Sequence, residues 1–310
     1  MASTRAVIDI GTNSVKILIA AVEGQEVRPL YEASEQTRLG QGFYETHVLQ
    51  QGNIEDTARA VADFIQEAKA YGPERIRVVA TSAARDAVNR EDLVRTMEAA
   101  AGLPLEIITG EVEADWAFQG VTTDPALAGQ PLMVMDVGGG STEFILGQDS
   151  DRTFAQSFPL GTVRLLEMLL VSDPPSLQDL ARCREQVRAI LEEQVAPVLT
   201  PHLGALSNGA AQLVGTGGTT TILARMQLRL RRYDRDLMEG LVLTREQLAW
   251  HQERLWSLPL AERRNIIGLP SKRADVIITG TVIFGEVMEL LRMETLKVST
   301  RGLRFAAVLG

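Results

Sequence analysis

The chain has one cysteine, three histidines and no apolar stretch of bilayer length in its 310 residues. With Cys183 alone no intramolecular disulfide can form, and three scattered histidines beside one thiol cannot assemble a zinc cluster. The N-terminus lacks a basic segment followed by an uninterrupted apolar run, and nothing later reaches the roughly 20 apolar residues that cross a membrane. The expectation is a cytoplasmic protein with no membrane partner. Positive charge is also short, the formal net charge being −9. Non-specific nucleic-acid binding relies on a broad basic face, so nucleic acid is not an expected partner. Any polyanion has to be held locally, by individual Arg and Lys side chains and by backbone N–H groups.

Hydrophobic content of 45% and charged content of 23% are those of a soluble globular protein. The length suits two domains, each able to bury its own core. The stretch from Val134 to Leu146, VMDVGGGSTEFIL, places Asp136, three glycines, Ser141, Thr142 and Glu143 between two apolar runs. A strand ending in a glycine turn brings backbone N–H groups within reach of an anion. The flanking carboxylates Asp136 and Glu143 are hard oxygen ligands placed to hold Mg²⁺ on a bound phosphate.

A relative of this stretch lies upstream. Val7 to Ala20, VIDIGTNSVKILIA, aligns with it without a gap: Asp9 meets Asp136, Gly11 meets Gly138, Ser14 meets Ser141 and Lys16 meets Glu143. A strand–turn–strand unit repeated at this distance points to two similar domains facing each other, with a phosphate chain between the turns. The domains are drawn at 1–125 and 126–310, with the last helix able to pack back on the first.

Along the chain, the spacing predicts strands at 27–34, 76–80, 105–109, 212–215 and 296–299. It predicts helices at 54–71, 91–101, 110–121, 162–170 and 176–196, the last burying Leu177, Leu180 and Cys183 on one face. The loop from Thr37 to Phe43, with Arg38 among glycines, is expected near the first turn. Thr81, Ser82 and Arg85 project from the C-terminal end of a strand, where α/β sheets bind ligands. Glu111, Glu113 and Asp115 open a helix, where acids complement the macrodipole; Glu113 has the alternative reading of a general base facing the cleft. Gly217 lies in a third glycine turn opening a helix. Arg229, Arg231, Arg232 and Arg235 form a basic run, either a solvated helix end or the lining of a polyanion channel. Thr244 and Gln247 form a capping box for a helix in which His251 is expected at the surface. A final helix at 273–291 is expected to be interrupted by Gly280 and Gly285.

The segments DIGTNSVKILI, ATSAARDA, ITGEVEA, VMDVGGGSTEF, GTGGT and STRGLR, in this order, resemble the exopolyphosphatase/guanosine pentaphosphate phosphohydrolase family of the actin-like ATPase superfamily. The length is that of the short members, which have only two actin-like domains. The resemblance implies an α/β fold of two actin-like, ribonuclease H-like domains with an interdomain phosphate-binding cleft. It also implies Mg²⁺-dependent hydrolysis of a terminal phosphoanhydride, with a monovalent cation such as K⁺ as a further candidate cofactor. Carried over by position, Glu113 matches the family's catalytic glutamate and Arg85 an arginine that contacts phosphate. Asp136 and Glu143 match the acidic pair of metal and catalysis. Asp9, Gly11, Thr12, Asn13 and Ser14, with Gly138, Gly139, Gly140, Ser141 and Gly217, match phosphate-binding turns.

Two departures stand out. Members often end with GLREG, where this chain has Gly302-Leu303-Arg304-Phe305-Ala306. Lys16 stands where the second copy has Glu143, which tilts metal binding toward the second domain. Three function classes remain open: a hydrolase of inorganic polyphosphate or guanosine pentaphosphate, a catalytically quiet binder of alarmones or polyphosphate, and an actin-like kinase or ATPase. Pairing of two chains into a homodimer is left open as well.

Overall fold

Residues 2–149, 151–203 and 211–310 are described by the computed structural model. They divide into one unit made of Met1–Ala126 with Arg301–Gly310 and a second made of Leu127–Thr300.

In the first unit, β1 (Ser3–Ile10), β2 (Val15–Glu23) and β3 (Glu26–Glu35) form an antiparallel meander. Then come α1 (Gln51–Lys69), β4 (Arg75–Ala80), α2 (Ser82–Asp86), α3 (Arg90–Ala101), β5 (Leu105–Ile107) and α4 (Gly110–Thr122). The sheet order is β3-β2-β1-β4-β5, with β4 parallel to both β1 and β5. Side chains alternate across the central strand. Ala6, Ile8 and Ile10 pack with Ile54, Val61 and Phe64 of α1 and Leu93 and Met97 of α3. Val7 points the other way, into a cluster with Leu18 and Val79 against which Val112 and Trp116 of α4 pack. Asp9 shares that second face, and its carboxylate stands at the strand's C-terminal end.

The second unit repeats the plan. β6 (Leu132–Val137), β7 (Thr142–Gln148) and β8 (Asp151–Phe158) are again an antiparallel meander. After α5 (Thr162–Leu169), α6 (Leu177–Ile190) starts at a capping box between Ser176 and Asp179, widens into a π turn at Leu191–Val195 and continues as α7 (Ala196–Leu203). β9 (Gln212–Thr216) leads directly into α8 (Gly217–Gln227). Then follow α9 (Arg235–Met238), β10 (Val242–Thr244), α10 (Arg245–Ser257), α11 (Leu260–Arg263), α12 (Ile277–Leu290) and β11 (Thr295–Val298). The sheet order is β10-β11-β9-β6-β7-β8, with β6, β9 and β11 parallel. One core fills this unit, joining Met133, Met135 and Phe144 of the sheet to Cys183, Leu223, Leu255 and Phe284 of the helices. No helix among the described residues is long and apolar enough to cross a membrane.

Residues 301–310 return to the first unit as α13 (Leu303–Ala307). A Cβ on Gly120 of α4 would lie 2.0 Å from the Gly302 carbonyl oxygen, so α4 and this segment meet backbone to backbone. Arg77 Nη1 donates to the Ala307 carbonyl at 2.9 Å and Arg304 Nη1 to that of Ile17 at 2.8 Å. Phe305 is buried in the cluster with Val7 and Leu18, so the acid of GLREG is replaced here by a core residue.

Three expectations need correction. Gly280 and Gly285 do not interrupt α12, because tertiary packing overrides propensity. A Cβ on Gly280 would come within 2.5 Å of Thr219 Cγ2, so the glycine serves a close approach to α8. Leu177 lies 87% exposed at the start of α6 rather than on its buried face. His251 is buried rather than at the surface, since α10 packs against α8 and α12.

Candidate active site

The two hairpins are built alike. Gly11 N–H donates to the Ser14 carbonyl at 3.0 Å, and Gly138 N–H to that of Ser141 at 2.9 Å. In each turn further carbonyls are taken up by neighbouring donors. Gly40 N–H binds the Thr12 carbonyl at 2.7 Å and Arg38 N–H that of Asn13 at 3.1 Å, which places the expected 37–43 loop on the first turn. In the second unit the first turn of α5 does the same: Thr162 N–H binds the Gly138 carbonyl at 3.0 Å and Val163 N–H that of Gly139 at 2.8 Å. Arg164 Nε completes the set on the Gly140 carbonyl at 2.9 Å. A Cβ on Gly161 would sit 2.4 Å from the Gly139 carbonyl oxygen, so only glycine lets α5 begin there. With these oxygens occupied, both turns are suited to offer N–H groups as an anion-binding nest.

The hairpins differ at one cross-strand pair. Asp9 stands directly opposite Lys16 on β2, whereas Asp136 stands directly opposite Glu143 on β7. Opposite charges stabilise such a pair and like charges destabilise it. Burial pushes the Asp9 carboxyl above its ordinary value, an effect that the Lys16 and Arg304 charges oppose. In the second unit no such cation stands opposite; instead Glu143, 1% exposed, accepts at Oε1 from Ser141 Oγ at 2.8 Å and from Ser157 Oγ at 2.7 Å. Asp136 is met by the third glycine turn: a Cβ on Gly217, at φ +82°, would lie 2.0 Å from Asp136 Oδ1. The structure therefore brings Asp136, Glu143, Gly138, Gly139, Gly140, Ser141 and Gly217 together at the C-terminal ends of β6 and β9.

In the first unit Asp9, Gly11, Thr12, Asn13 and Ser14 lie at the corresponding end of β1. Asn13 is 5% exposed; its Oδ1 accepts from Gln36 Nε2 at 3.1 Å while its Nδ2 is buried without a partner. Thr81 N–H binds the Ile10 carbonyl at 3.2 Å, so the segment carrying Arg85 starts beside that turn. Arg85 Nη1 donates to Glu113 Oε2 at 2.9 Å, and its Nε lies 3.8 Å from Asp86 Oδ1. Glu113 occupies the first turn of α4, whose N-terminus is capped by Thr109 Oγ1 accepting from Val112 N–H at 3.3 Å.

Among the described residues no three of His, Cys, Asp and Glu cluster as a metal site. Two carboxylates are nonetheless what Mg²⁺ commonly takes from a protein, the rest of its octahedron being water and substrate phosphate. The hard-oxygen donors of the cross-strand pair Asp136 and Glu143 fit such an ion. Sequence reasoning missed Ser157, Gly161 and the first turn of α5. Ser157 had one signal available: it is the residue opposite Glu143 once β7 and β8 are paired.

A model of the Ppx/GppA phosphatase family matches residues 18–309. Exopolyphosphatase 2 of Mycobacterium tuberculosis is 36% identical over 303 residues, covering 94% of this chain and 92% of that protein. The crystal structure of the Aquifex aeolicus member of the Ppx/GppA family superposes with a TM-score of 0.79 at 30% identity, over 100% of this chain and 97% of that one. A second solved structure, of an exopolyphosphatase-like protein, superposes with a TM-score of 0.90 at 28% identity, over 99% and 97%.

Proposed function

As the chain belongs to the Ppx/GppA phosphatase family, with its two-sheet, actin-like fold, we propose that it is an exopolyphosphatase that releases terminal orthophosphate from inorganic polyphosphate. The observation that carries the reading is the Asp136–Glu143 pair beside a glycine turn whose carbonyls are all bound from behind. Such a turn offers donors to phosphate oxygens, and two adjacent carboxylates supply hard oxygen ligands for a cation.

Glu113 accepts a proton from water as the water oxygen bonds to the terminal phosphorus. The bridging P–O bond breaks and the shortened chain leaves with the electron pair. Arg85 orients Glu113, and the turns at Gly11–Ser14 and Gly138–Ser141 each offer N–H groups to phosphate oxygens. Asp136 and Glu143 would hold Mg²⁺, which would supply neutralisation of charge on the phosphates. Guanosine pentaphosphate, with the same terminal phosphoanhydride, is a second substrate of this reading.

The test is phosphate release with Mg²⁺ from short polyphosphate, long polyphosphate, guanosine pentaphosphate and ATP in parallel, for wild type and Glu113→Gln. Release from polyphosphate that falls about 10²- to 10⁴-fold in the variant is expected. No release from any of the four, with binding still measured by calorimetry, would instead identify a quiet binder. Release from ATP alone would point to an ATPase.

A further inference from the structure

A cavity of about 840 Å³ opens in the second unit, walled by the C-terminal end of α8, by α10 and by the 265–267 segment. That volume is in the range of small-molecule sites. None of its walls contains a residue of the active site described above. It lies at the opposite end of α8 from Gly217, about 16 Å along an eleven-residue helix.

Its lining combines two chemistries. Trp250 is 54% exposed, an uncommon placement for an indole, and the Arg254 guanidinium lies 5.4 Å from its ring centroid. Arg229 adds a second cation, and Glu246 and Gln247 add polar edges. An inorganic anion has no use for the indole, and a neutral aromatic has no use for two guanidiniums. A nucleotide uses both, its base stacking on the ring and its phosphates pairing with arginine. The Glu246 carboxylate can accept from an exocyclic base amine.

Two further observations mark the place as built. His251, 2% exposed, hydrogen-bonds through Nε2 to Gln227 Oε1 at 2.9 Å, while its Nδ1 is buried with no partner. The Nε2 bond ties α10 to the end of α8, two of the cavity's walls. Arg229 occupies the left-handed position, at φ 54°, where α8 ends. Leu230 N–H binds the Arg225 carbonyl at 2.9 Å and Arg229 N–H that of Met226 at 3.2 Å, the pairing in which glycine is ordinarily favoured. The chain carries arginine there instead.

We propose that this pocket binds a purine nucleotide, with its base on Trp250 and its phosphates on Arg229 and Arg254. Labelling the three tryptophans with 5-fluorotryptophan and assigning the ¹⁹F resonances with Trp250→Phe gives a readout local to the pocket. The expected result is a saturable shift of the Trp250 resonance with ATP or GTP, with UTP, adenosine and tripolyphosphate each binding more weakly. Arg229→Gly suits the backbone at that position, so it should fold at least as well as wild type, keep phosphate release from polyphosphate within about twofold and weaken nucleotide binding about tenfold. A Trp250 resonance unmoved by millimolar nucleotide overturns the proposal. So does tripolyphosphate binding as tightly as ATP, or an unchanged affinity in Arg229→Gly. The readout is independent of hydrolysis, so failure here leaves the polyphosphatase reading standing.

Discussion

Arg85 donates through Nη1 both to Glu113 Oε2, at 2.9 Å, and to the Ile108 carbonyl, at 3.1 Å. One guanidinium thus ties the first turn of α4 to the end of β5 and fixes the direction of the carboxylate. The pair is largely covered, with side-chain exposures of 23% for Arg85 and 12% for Glu113. Arg85→Ala leaves the carboxylate short of a charge-assisted partner, and a loss of about 1–3 kcal/mol in urea unfolding is expected. Phosphate release should fall with it. Arg85→Lys keeps the charge without the planar fork and should recover only part of both. A double-mutant cycle with Glu113→Gln tests the coupling: fully additive losses in kcat would mean that Arg85 acts elsewhere.

Glu143 depends on two hydroxyls that come from different strands. Ser141 belongs to the glycine turn itself, whereas Ser157 reaches across from β8. Both donate to Oε1, so they orient the carboxylate that the metal reading assigns to Mg²⁺. Groups that orient a metal ligand typically change affinity 10- to 100-fold when removed. Ser157→Ala is therefore expected to raise the Mg²⁺ concentration for half-maximal phosphate release about tenfold. The KM for polyphosphate at saturating Mg²⁺ should move little. A Mg²⁺ titration that superposes on the wild-type curve would remove the metal role from Glu143.

The duplicated hairpin is legible in sequence because all its chemistry lies within two contiguous segments, so that aligning Asp9 with Asp136 also aligns Lys16 with Glu143. Local signals hold elsewhere too: the capping boxes at Ser176 and Thr244 start their helices where the residue types say. What escapes is set by pairing over distance. Ser157 reaches Glu143 only through the register of β7 and β8, which shifts between Leu146 and Gly147. His251 and Gln252 are polar positions on a helix of weak amphipathic pattern, and only its packing on α12 buries them. The return of residues 301–310 to the first unit likewise has no local signature; it rests on arginines, Arg5, Arg77 and Arg304, each reaching a carbonyl far away in sequence.

Two glycines separate a structural need from mere tolerance. Gly161 has no room for a methyl group: its Cβ would overlap the backbone of Gly139 and Gly140, both at 2.4–2.5 Å. Because those neighbours are backbone, Gly161→Ala must displace α5 or the turn, and about 1–3 kcal/mol of destabilisation is expected. Activity should fall further than stability, since the turn's N–H groups move. Gly52, in the first turn of α1, has nothing within 4 Å of its Cβ position. Gly52→Ala should therefore stabilise the chain by about 0.5–1 kcal/mol with activity unchanged. If thermal melts showed both variants shifting alike, the close approach at Gly161 would not be what holds the turn.

The pH response of stability should carry the signature of His251. Burial, with Arg254 adding to it, lowers this imidazole to about 4, against about 6.5 in an unfolded chain. As pH falls through about 6.5 the unfolded chain takes the proton first, so the unfolded state gains on the native one. The contribution is fully present above about 6.5 and is lost progressively down to about 4, where the native imidazole protonates as well. At pH 5 the loss amounts to about 2 kcal/mol. His251→Gln keeps a polar side chain that can face Gln227 and removes the titration. Urea unfolding at pH 7.5 and at pH 5 is then expected to show wild type losing about 2 kcal/mol more than the variant. Carboxylates titrate alike in both proteins, so they cancel in that difference. Equal losses in the two would mean that the His251 ring reaches solvent readily enough to protonate in the folded state.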